Sequence, residues 1–172
     1  MIDLILGGAR SGKSALAERI ANESGKQVVY VATAQSRDSE MSARIHHHKS
    51  RRPSHWITIE EPIELHRILA EYDQREHLVL VDCLTLWVSN LLCLGDSNIF
   101  AEKKSALLRQ LERHQSDLIL VSNETGMGIV PIGDLTRRFV DESGWLHQEI
   151  AQLADRVTLV VAGLPQRLKD KK

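Results

Sequence analysis

Eight residues near the start of the chain have the types and spacing that bind phosphate. They read Gly-Gly-Ala-Arg-Ser-Gly-Lys-Ser, fit the pattern G-x-x-x-x-G-K-S, and stand between an apolar run at 4–6 and a helix-like run at 15–22. Glycines let the backbone wrap a polyphosphate, while amide N–H groups and the helix start supply positive potential. In this pattern Lys13 reaches the β- and γ-phosphates and Ser14 binds Mg²⁺, so the segment predicts a nucleoside triphosphate site. A glycine-rich turn without a ligand is the alternative, but it does not explain the Lys-Ser pair.

An acidic residue, Asp82, directly follows the apolar run at 78–81. In proteins with a phosphate loop, an acid at the end of a buried strand holds Mg²⁺ directly or through water. The alternative is that Asp82 caps the next helix, since aspartate is a favoured capping residue. The phosphate loop in the same chain favours the metal or nucleotide role. For proton removal in a phosphoryl transfer the sequence names no convincing general base, and Asp82 is only a candidate.

A block of histidines and basic residues occupies positions 40–53. If residues 39–51 are helical, then Glu40, Arg44, His47 and Arg51 form one stripe, because they are spaced by four, three and four residues. The two arginines can neutralise phosphate oxygens, and nearby cations disfavour protonation of the imidazole, which leaves His47 nucleophilic toward an α-phosphate. A solvated basic helix end is the main alternative. Three adjacent histidines disfavour a metal site, because neighbouring helical positions point about 100° apart.

Two further segments carry weaker signals. Glu60 and Glu61 follow the strand-like run at 56–59, and a carboxylate can accept hydrogen bonds from guanine and so select GTP over ATP. An acidic first helical turn is the alternative for this pair. The loop at 123–131 contains two glycines and a proline, and it can either hold an acceptor substrate or serve as a turn.

Apolar runs of strand length alternate with helix-like segments, which is typical of a parallel sheet covered on both faces. The strand-like runs lie at 4–6, 28–32, 78–81, 118–121 and 157–161. The helical patterns lie at 14–23, 39–49, 62–72, 84–94, 98–114 and 133–153. Because ligands gather at the carboxyl ends of such strands, the candidate residues should meet there. Residues 163–165 indicate only a turn, and the charged tail at 169–172 is expected to be frayed.

Length and composition predict one domain over residues 1–172. A net charge of -1 gives no surface suited to neutralising a nucleic-acid backbone. The first apolar run is too short for a signal peptide, and the stretch at 84–94 is too short to cross a bilayer. Cys83 and Cys93 lack a metal-ligand spacing and are expected to be reduced core thiols. We therefore expect a cytoplasmic protein that neither spans a membrane nor binds nucleic acid.

Five motifs, in this order, resemble one enzyme family: the bifunctional adenosylcobinamide kinase/adenosylcobinamide-phosphate guanylyltransferases of cobalamin biosynthesis. The motifs are GGARSGKS at 7–14, VATA at 31–34, ARIHHHKSRRP at 43–53, VDCLTLWVSN at 81–90 and SNETGMGIVP at 122–131. A phosphate loop alone is unspecific, but its combination with the histidine block and GMGIVP is specific. The resemblance extends over nearly the whole chain.

The resemblance implies a P-loop NTPase fold with a RecA-like core, and two reactions that use ATP or GTP with Mg²⁺. The first phosphorylates the aminopropanol hydroxyl of adenosylcobinamide. The second transfers GMP from GTP to adenosylcobinamide phosphate through a guanylylated histidine, giving adenosyl-GDP-cobinamide and pyrophosphate. The reactive histidine of the family opens a His-His-Lys sequence, which matches His47 here, whereas the family need not have a histidine at the position of His46. The resemblance also implies a homotrimer.

Matching the motifs residue by residue implies a set of site residues. His47 and Lys13 are implied to be catalytic, and Ser14 and Asp82 to bind the metal. The implied nucleotide contacts are Gly7, Gly8, Ala9, Arg10, Ser11, Gly12, Lys13, Ser14, Ala32, Thr33, Ala34, His48, Lys49, Ser50, Arg51, Glu60 and Asp82. Two rival hypotheses remain at this point: a plain P-loop kinase or NTPase with a structural histidine block, and a nucleotide-binding regulator.

Overall fold

The computed structural model describes residues 1–34 and 53–171. The histidine block and the helix predicted at 39–49 lie outside the described residues. The same holds for five predicted site residues, which are His47, His48, Lys49, Ser50 and Arg51.

The described residues form one sheet with helices on both faces. Its strands are β1 (Ile2–Gly7), β2 (Gln27–Ala32), β3 (Ile57–Glu60), β4 (His77–Asp82), β5 (Asp117–Asn123), β6 (Arg156–Val161) and β7 (Leu164–Asp170). The helices are α1 (Lys13–Glu23), α2 (Leu65–Glu71), α3 (Leu84–Leu92), α4 (Ser97–Arg113) and α5 (Asp134–Leu153). The five predicted strand runs and the predicted helices at 14–23, 84–94, 98–114 and 133–153 are confirmed to within a few residues, and β3 confirms the strand-like run at 56–59.

The strands are arranged in the order β3-β2-β4-β5-β1-β6-β7. Neighbours from β3 to β6 are parallel, and β7 is antiparallel to β6. This arrangement confirms the mostly parallel sheet that the sequence predicts. It also brings the carboxyl ends of β1, β2, β4 and β5 to one edge, which we call the carboxyl edge.

Strand β4 illustrates why the central strands are continuously apolar. Leu78 and Leu80 pack into the cluster on the α1 face, whereas Val79 and Val81 pack into the cluster formed with α2 to α5. Successive side chains point to opposite faces, and both faces are covered by helices. Each fully buried leucine or valine contributes about 2 kcal/mol to stability. The polar residues of β4, His77 and Asp82, accordingly lie at its two ends.

The last strand corrects two expectations. The chain turns at residues 162–163, with Gly163 at φ 79°, but Leu164 already begins β7, so the expectations of only a turn at 163–165 and of fraying from residue 169 are wrong. Lys169 Nζ donates to the carbonyls of Ala151 (2.6 Å) and Gln152 (2.9 Å) in the last turn of α5, where a cation is favoured. Because β7 is an exposed edge strand, it lacks the apolar alternation that reveals a strand in the sequence.

An ion pair between a buried carboxylate, Asp3, and a partly buried guanidinium, Arg156, joins the amino ends of β1 and β6. Asp3 is buried and lies opposite Arg156 in the strand register. The Arg156 guanidinium donates to both carboxylate oxygens, with Nε 2.6 Å from Oδ1. Removing one partner of such a pair leaves a buried charge without compensation, and this costs more than the pair itself contributes.

Replacing Arg156 with methionine should therefore lower the free energy of unfolding by about 3 kcal/mol, as measured by urea denaturation. The double variant Asp3→Asn/Arg156→Met also removes the stranded carboxylate and should recover part of that loss. If the single and double variants were equally stable, the buried pairing would be contradicted.

A second buried polar group lies where α4 leads into β5. The His114 side chain is fully buried, with Nε2 2.6 Å from Ser116 Oγ and Nδ1 3.2 Å from Asp73 Oδ1. Burial lowers the pKa of His114, and the Asp73 carboxylate opposes this only in part. The folded protein therefore holds this imidazole neutral at a pH where the unfolded chain begins to bind a proton.

This predicts that the free energy of unfolding decreases as the pH falls below about 6.5, because the unfolded histidine takes up a proton that the folded one resists. The substitution His114→Gln keeps a polar side chain that does not titrate, so it should make the decrease smaller between about pH 7 and pH 5.5. Urea titrations at several pH values test this, and parallel curves for the variant and the wild type would refute it.

Candidate functional site

The phosphate loop connects β1 to α1 at the carboxyl edge. Arg10 (φ 57°) and Gly12 (φ 96°) have left-handed backbone conformations, and a Cβ at Gly7 would lie 2.6 Å from the carbonyl oxygen of Val160. Gly12 caps α1 without a side-chain hydrogen bond. The N–H groups of the first helical turn are therefore not blocked by a capping side chain, as an anion site requires.

Two polar side chains of the loop are placed to meet a phosphate. Lys13 Nζ donates to the Gly8 carbonyl (3.1 Å), so the ammonium lies across the loop. The buried Ser11 Oγ has no hydrogen-bond partner within the described part of the chain, and a ligand oxygen can satisfy it. Open space beside Gly8 lets a ligand approach the backbone.

Asp82 ends β4 at the carboxyl edge and accepts a hydrogen bond from Tyr30 Oη at 3.1 Å. The Tyr30 ring stacks on Trp56, with ring centroids 6.4 Å apart. The residue that caps α3 is Cys83 rather than Asp82, so the capping alternative for Asp82 is wrong. Tyr30 was missed by the sequence reasoning because its position in an apolar strand resembles that of a core residue.

The two candidate glutamates have different roles. Glu61 Oε1 accepts hydrogen bonds from the backbone N–H groups of Ile63 (2.9 Å) and Glu64 (2.7 Å), so it caps the turn before α2. Helix α2 itself begins at Leu65, three residues after the predicted position 62. Glu60 is exposed at the end of β3 and pairs in register with Ala32. Of the two, Glu60 therefore keeps its candidacy as a nucleotide contact.

Ala32 lies between Glu60 and Asp82 in the sheet, because β2 pairs with both β3 and β4. Thr33 follows it and is completely buried. The Thr33 hydroxyl donates to the Cys83 carbonyl (2.7 Å) and accepts from the Cys83 N–H (2.9 Å). This hydroxyl therefore links the ends of β2 and β4, and a nucleotide contact at Thr33 stays a prediction.

A buried polar chain, not foreseen from the sequence, supports the end of β5. Asn123 N donates to Thr85 Oγ1 (2.6 Å), Thr85 Oγ1 lies 3.1 Å from Ser122 Oγ, and Ser122 Oγ lies 2.7 Å from His147 Nε2. Burial lowers the pKa of His147, although Glu124 opposes the shift. Glu124 N in turn donates to the Gly7 carbonyl (3.1 Å), so this chain borders the phosphate loop.

The loop after β5 exposes several large apolar side chains. Ile129 and Ile132 are 98% and 93% exposed, and Met127 and Val130 are also exposed. Gly126 N donates to Glu124 Oε1 at 2.5 Å, which ties the start of the loop to the carboxyl edge. A large apolar surface at a ligand edge suits an apolar ligand or a protein contact.

The described residues contain neither a membrane-spanning helix nor a cluster of metal ligands. Within residues 1–34 and 53–171, each helix is either too short or too polar to cross a bilayer. The same residues hold no group of three or more His, Cys, Asp or Glu side chains arranged around a metal position. Both cysteines are free thiols, as expected, and burial raises the pKa of Cys83 to about 11. The expectation of a core position is wrong for Cys93, which is exposed.

Solved structures with a similar fold support this architecture. A protein of Pyrococcus horikoshii OT3 superposes with a TM-score of 0.60 at 11% identity, covering 99% of this chain and 87% of that chain. The RadB recombinase superposes with a TM-score of 0.53 at 17% identity, covering 92% of this chain and 73% of that chain. At such low identity they show the fold alone, which is a P-loop NTPase fold with a RecA-like core.

Sequence comparisons show the family. A bifunctional adenosylcobalamin biosynthesis protein, CobP of Pseudomonas aeruginosa, is 56% identical over 98% of both chains. The bifunctional adenosylcobalamin biosynthesis protein CobU of Escherichia coli K12 is 40% identical, over 98% of this chain and 100% of that protein. The sequence model of a family described as cobinamide kinase/cobinamide phosphate guanyltransferase matches residues 3–168. This chain therefore belongs to the cobinamide kinase/cobinamide phosphate guanyltransferase family.

Proposed function

We propose that this protein is a bifunctional enzyme of adenosylcobalamin biosynthesis. It phosphorylates adenosylcobinamide with ATP or GTP, and it then transfers GMP from GTP to adenosylcobinamide phosphate. One observation carries the proposal: the phosphate loop, Glu60, Ala34 and Asp82 share one edge of the sheet, and in the sequence the histidine block at 40–53 follows Ala34 after five residues. A triphosphate bound along this edge meets the groups that both reactions need.

In the phosphorylation step, Lys13 and the loop N–H groups hold the transferred phosphate. Hydroxyl and carboxylate oxygens are the ligands that Mg²⁺ prefers, so Ser14 and Asp82 suit that ion. When bound there, Mg²⁺ supplies neutralisation of charge on the β- and γ-phosphate oxygens. Asp82 is also the candidate to accept the proton of the acceptor hydroxyl, and its bond from Tyr30 orients one carboxylate oxygen.

In the guanylyl step, an imidazole nitrogen of His47 attacks the α-phosphorus of GTP. A P–N bond forms, the bond from the α-phosphorus to the pyrophosphate oxygen breaks, and pyrophosphate leaves. A phosphate oxygen of adenosylcobinamide phosphate then attacks the same phosphorus and breaks the P–N bond. Covalent catalysis divides one difficult displacement into two easier ones.

The remaining predicted contacts serve binding and charge. His48, Lys49, Ser50 and Arg51 contact the nucleotide, and their cationic members offset the charge of pyrophosphate. Glu60 accepts hydrogen bonds from guanine, which selects GTP. The other nucleotide contacts are Gly7, Gly8, Ala9, Arg10, Ser11, Gly12, Lys13, Ser14, Ala32, Thr33, Ala34 and Asp82.

The proposed assembly is a cytoplasmic homotrimer that binds cobinamide substrates and no nucleic acid. The exposed apolar side chains of the loop after β5 support a contact with either a second subunit or the corrinoid. The net charge of -1 is consistent with the absence of a nucleic-acid partner.

Incubation with GTP labelled at the α-phosphate should label the protein in an acid-labile, alkali-stable form, as expected for a phosphoramidate. The variant His47→Ala should lose this label, and the matched variant His46→Ala should keep it. GTP labelled at the γ-phosphate should leave the protein unlabelled. If His47→Ala converts cobinamide phosphate at an undiminished rate, the covalent mechanism is wrong.

Replacing Lys13 with alanine should lower kcat/KM for adenosylcobinamide phosphorylation by about 100-fold or more, because a preorganised cation is removed from the developing charge. A steady-state assay of ADP formation measures this. Lys104→Ala is the control, since Lys104 pairs with Glu149 on α5 and should leave the rate unchanged. A Lys13→Ala enzyme with at least half the normal rate would contradict the role of the loop.

A further inference from the structure

The amide of Asn90 joins two loops at the carboxyl edge. Asn90 lies on α3 and is buried. Its Nδ2 donates to the Thr33 carbonyl at 2.8 Å and to the Pro62 carbonyl at 3.3 Å. Thr33 follows β2 and Pro62 follows β3, so a single side chain bridges the ends of two neighbouring strands.

A third loop is joined through the Thr33 hydroxyl, which exchanges hydrogen bonds with the backbone of Cys83. Cys83 directly follows Asp82. We call Thr33, Pro62, Cys83 and Asn90 the edge clasp. Trp87, one turn before Asn90 on α3, adds a bond from Nε1 to the Ile63 carbonyl (2.8 Å). Helix α3 therefore fixes the loops after β2 and β3 relative to Cys83, which connects β4 to α3.

The clasp borders the groups that the proposed guanylyl transfer uses. Ala34, beside Thr33, lies six positions before the histidine block in the sequence, and Glu60 lies two residues before Pro62. The phosphate loop is tied by other contacts: Glu124 N donates to the Gly7 carbonyl, and Gly163 N donates to the Ser11 carbonyl (2.8 Å). The clasp thus holds the loops beside Glu60 and Asp82, and separate bonds hold the phosphate loop.

We propose that Asn90 is a positioning residue for guanylyl transfer, which fixes Thr33 and the loop after Glu60 relative to Asp82. This inference rests on the proposed function. Misplacement of a reacting group by about 1 Å can cost two orders of magnitude in rate. Loss of the Asn90 amide should therefore affect guanylyl transfer much more than phosphorylation of cobinamide.

A purely structural role makes a different prediction. Removal of any buried amide lowers stability, and it lowers both half-reactions in the same proportion as the folded fraction. Gln110 provides the matched control, because it is a buried amide on α4 whose Oε1 accepts from Arg113 Nε at 2.9 Å. Gln110→Ala removes a comparable group that contacts none of the clasp residues.

The experiment compares Asn90→Ala, Asn90→Ser and Gln110→Ala at a temperature where circular dichroism shows folded protein. Asn90→Ala should slow labelling of the protein by α-labelled GTP about 100-fold, while kcat for cobinamide phosphorylation falls less than about threefold. Gln110→Ala should leave both rates unchanged. Three results would each overturn the inference. The first is an equal loss of rate in both half-reactions of Asn90→Ala, and the second is that Asn90→Ala and Gln110→Ala change both rates alike. The third is failure of both Asn90 variants to fold.

The outcome also separates this inference from the proposed function. If the wild-type protein takes up no label, the proposed function has failed, and nucleotide binding alone then decides the role of Asn90. In that case Asn90→Ala must bind a fluorescent GTP analogue about tenfold more weakly than the wild type. Gln110→Ala must bind the same analogue with wild-type affinity. Equal affinities of the two variants would overturn the positioning role.

Discussion

Parallel pairing of β4 with β2 and β5, and of β1 with β5, is the constraint on which the rest of the molecule depends. Parallel strands with helices on both faces bury nearly every side chain between their ends, so the strands must be apolar. Chemistry can then occur only where the strands stop. Because parallel strands stop at the same edge, residues 7–14, 32–34 and 82 lie along one edge although they are distant in the chain. The fold thus determines where the site lies before any catalytic residue is considered.

The carboxyl edge is held by buried polar groups, which are costly unless each finds a partner. Thr33 and Asn90 join the ends of β2, β3 and β4. Thr85, Ser122 and His147 do the same for the end of β5, beside the phosphate loop. These bonds limit how far the strand ends can move, so the same interactions that stabilise the fold also keep the site in register. Stability and positioning are therefore coupled at this edge.

The sequence predicts the elements whose signals are local. The phosphate loop has a spacing that only a strand-to-helix turn satisfies, and the central strands are recognisable as short apolar runs. By contrast, β7 is an exposed edge strand with a mixed polar sequence, and its identity depends on pairing with β6. Local patterns do not report such tertiary pairing, which is why the chain after position 162 was predicted to be only a turn and a tail.

The same distinction applies within the site. The sequence identifies Glu60 and Glu61 as a pair of candidate nucleotide contacts but does not distinguish their roles. The distinction depends on which carboxylate accepts the N–H groups of the following turn, and in the structure it is Glu61. Tyr30 and Asn90 act through partners about 50 residues away, a relationship that leaves no periodic signal.

The central claim concerns the covalent step at His47. Rapid-quench mass spectrometry of the peptide that contains the histidine block tests it most directly: the account predicts one GMP on His47 that passes to cobinamide phosphate at least as fast as kcat, whereas GMP on another residue, or transfer slower than turnover, would contradict it.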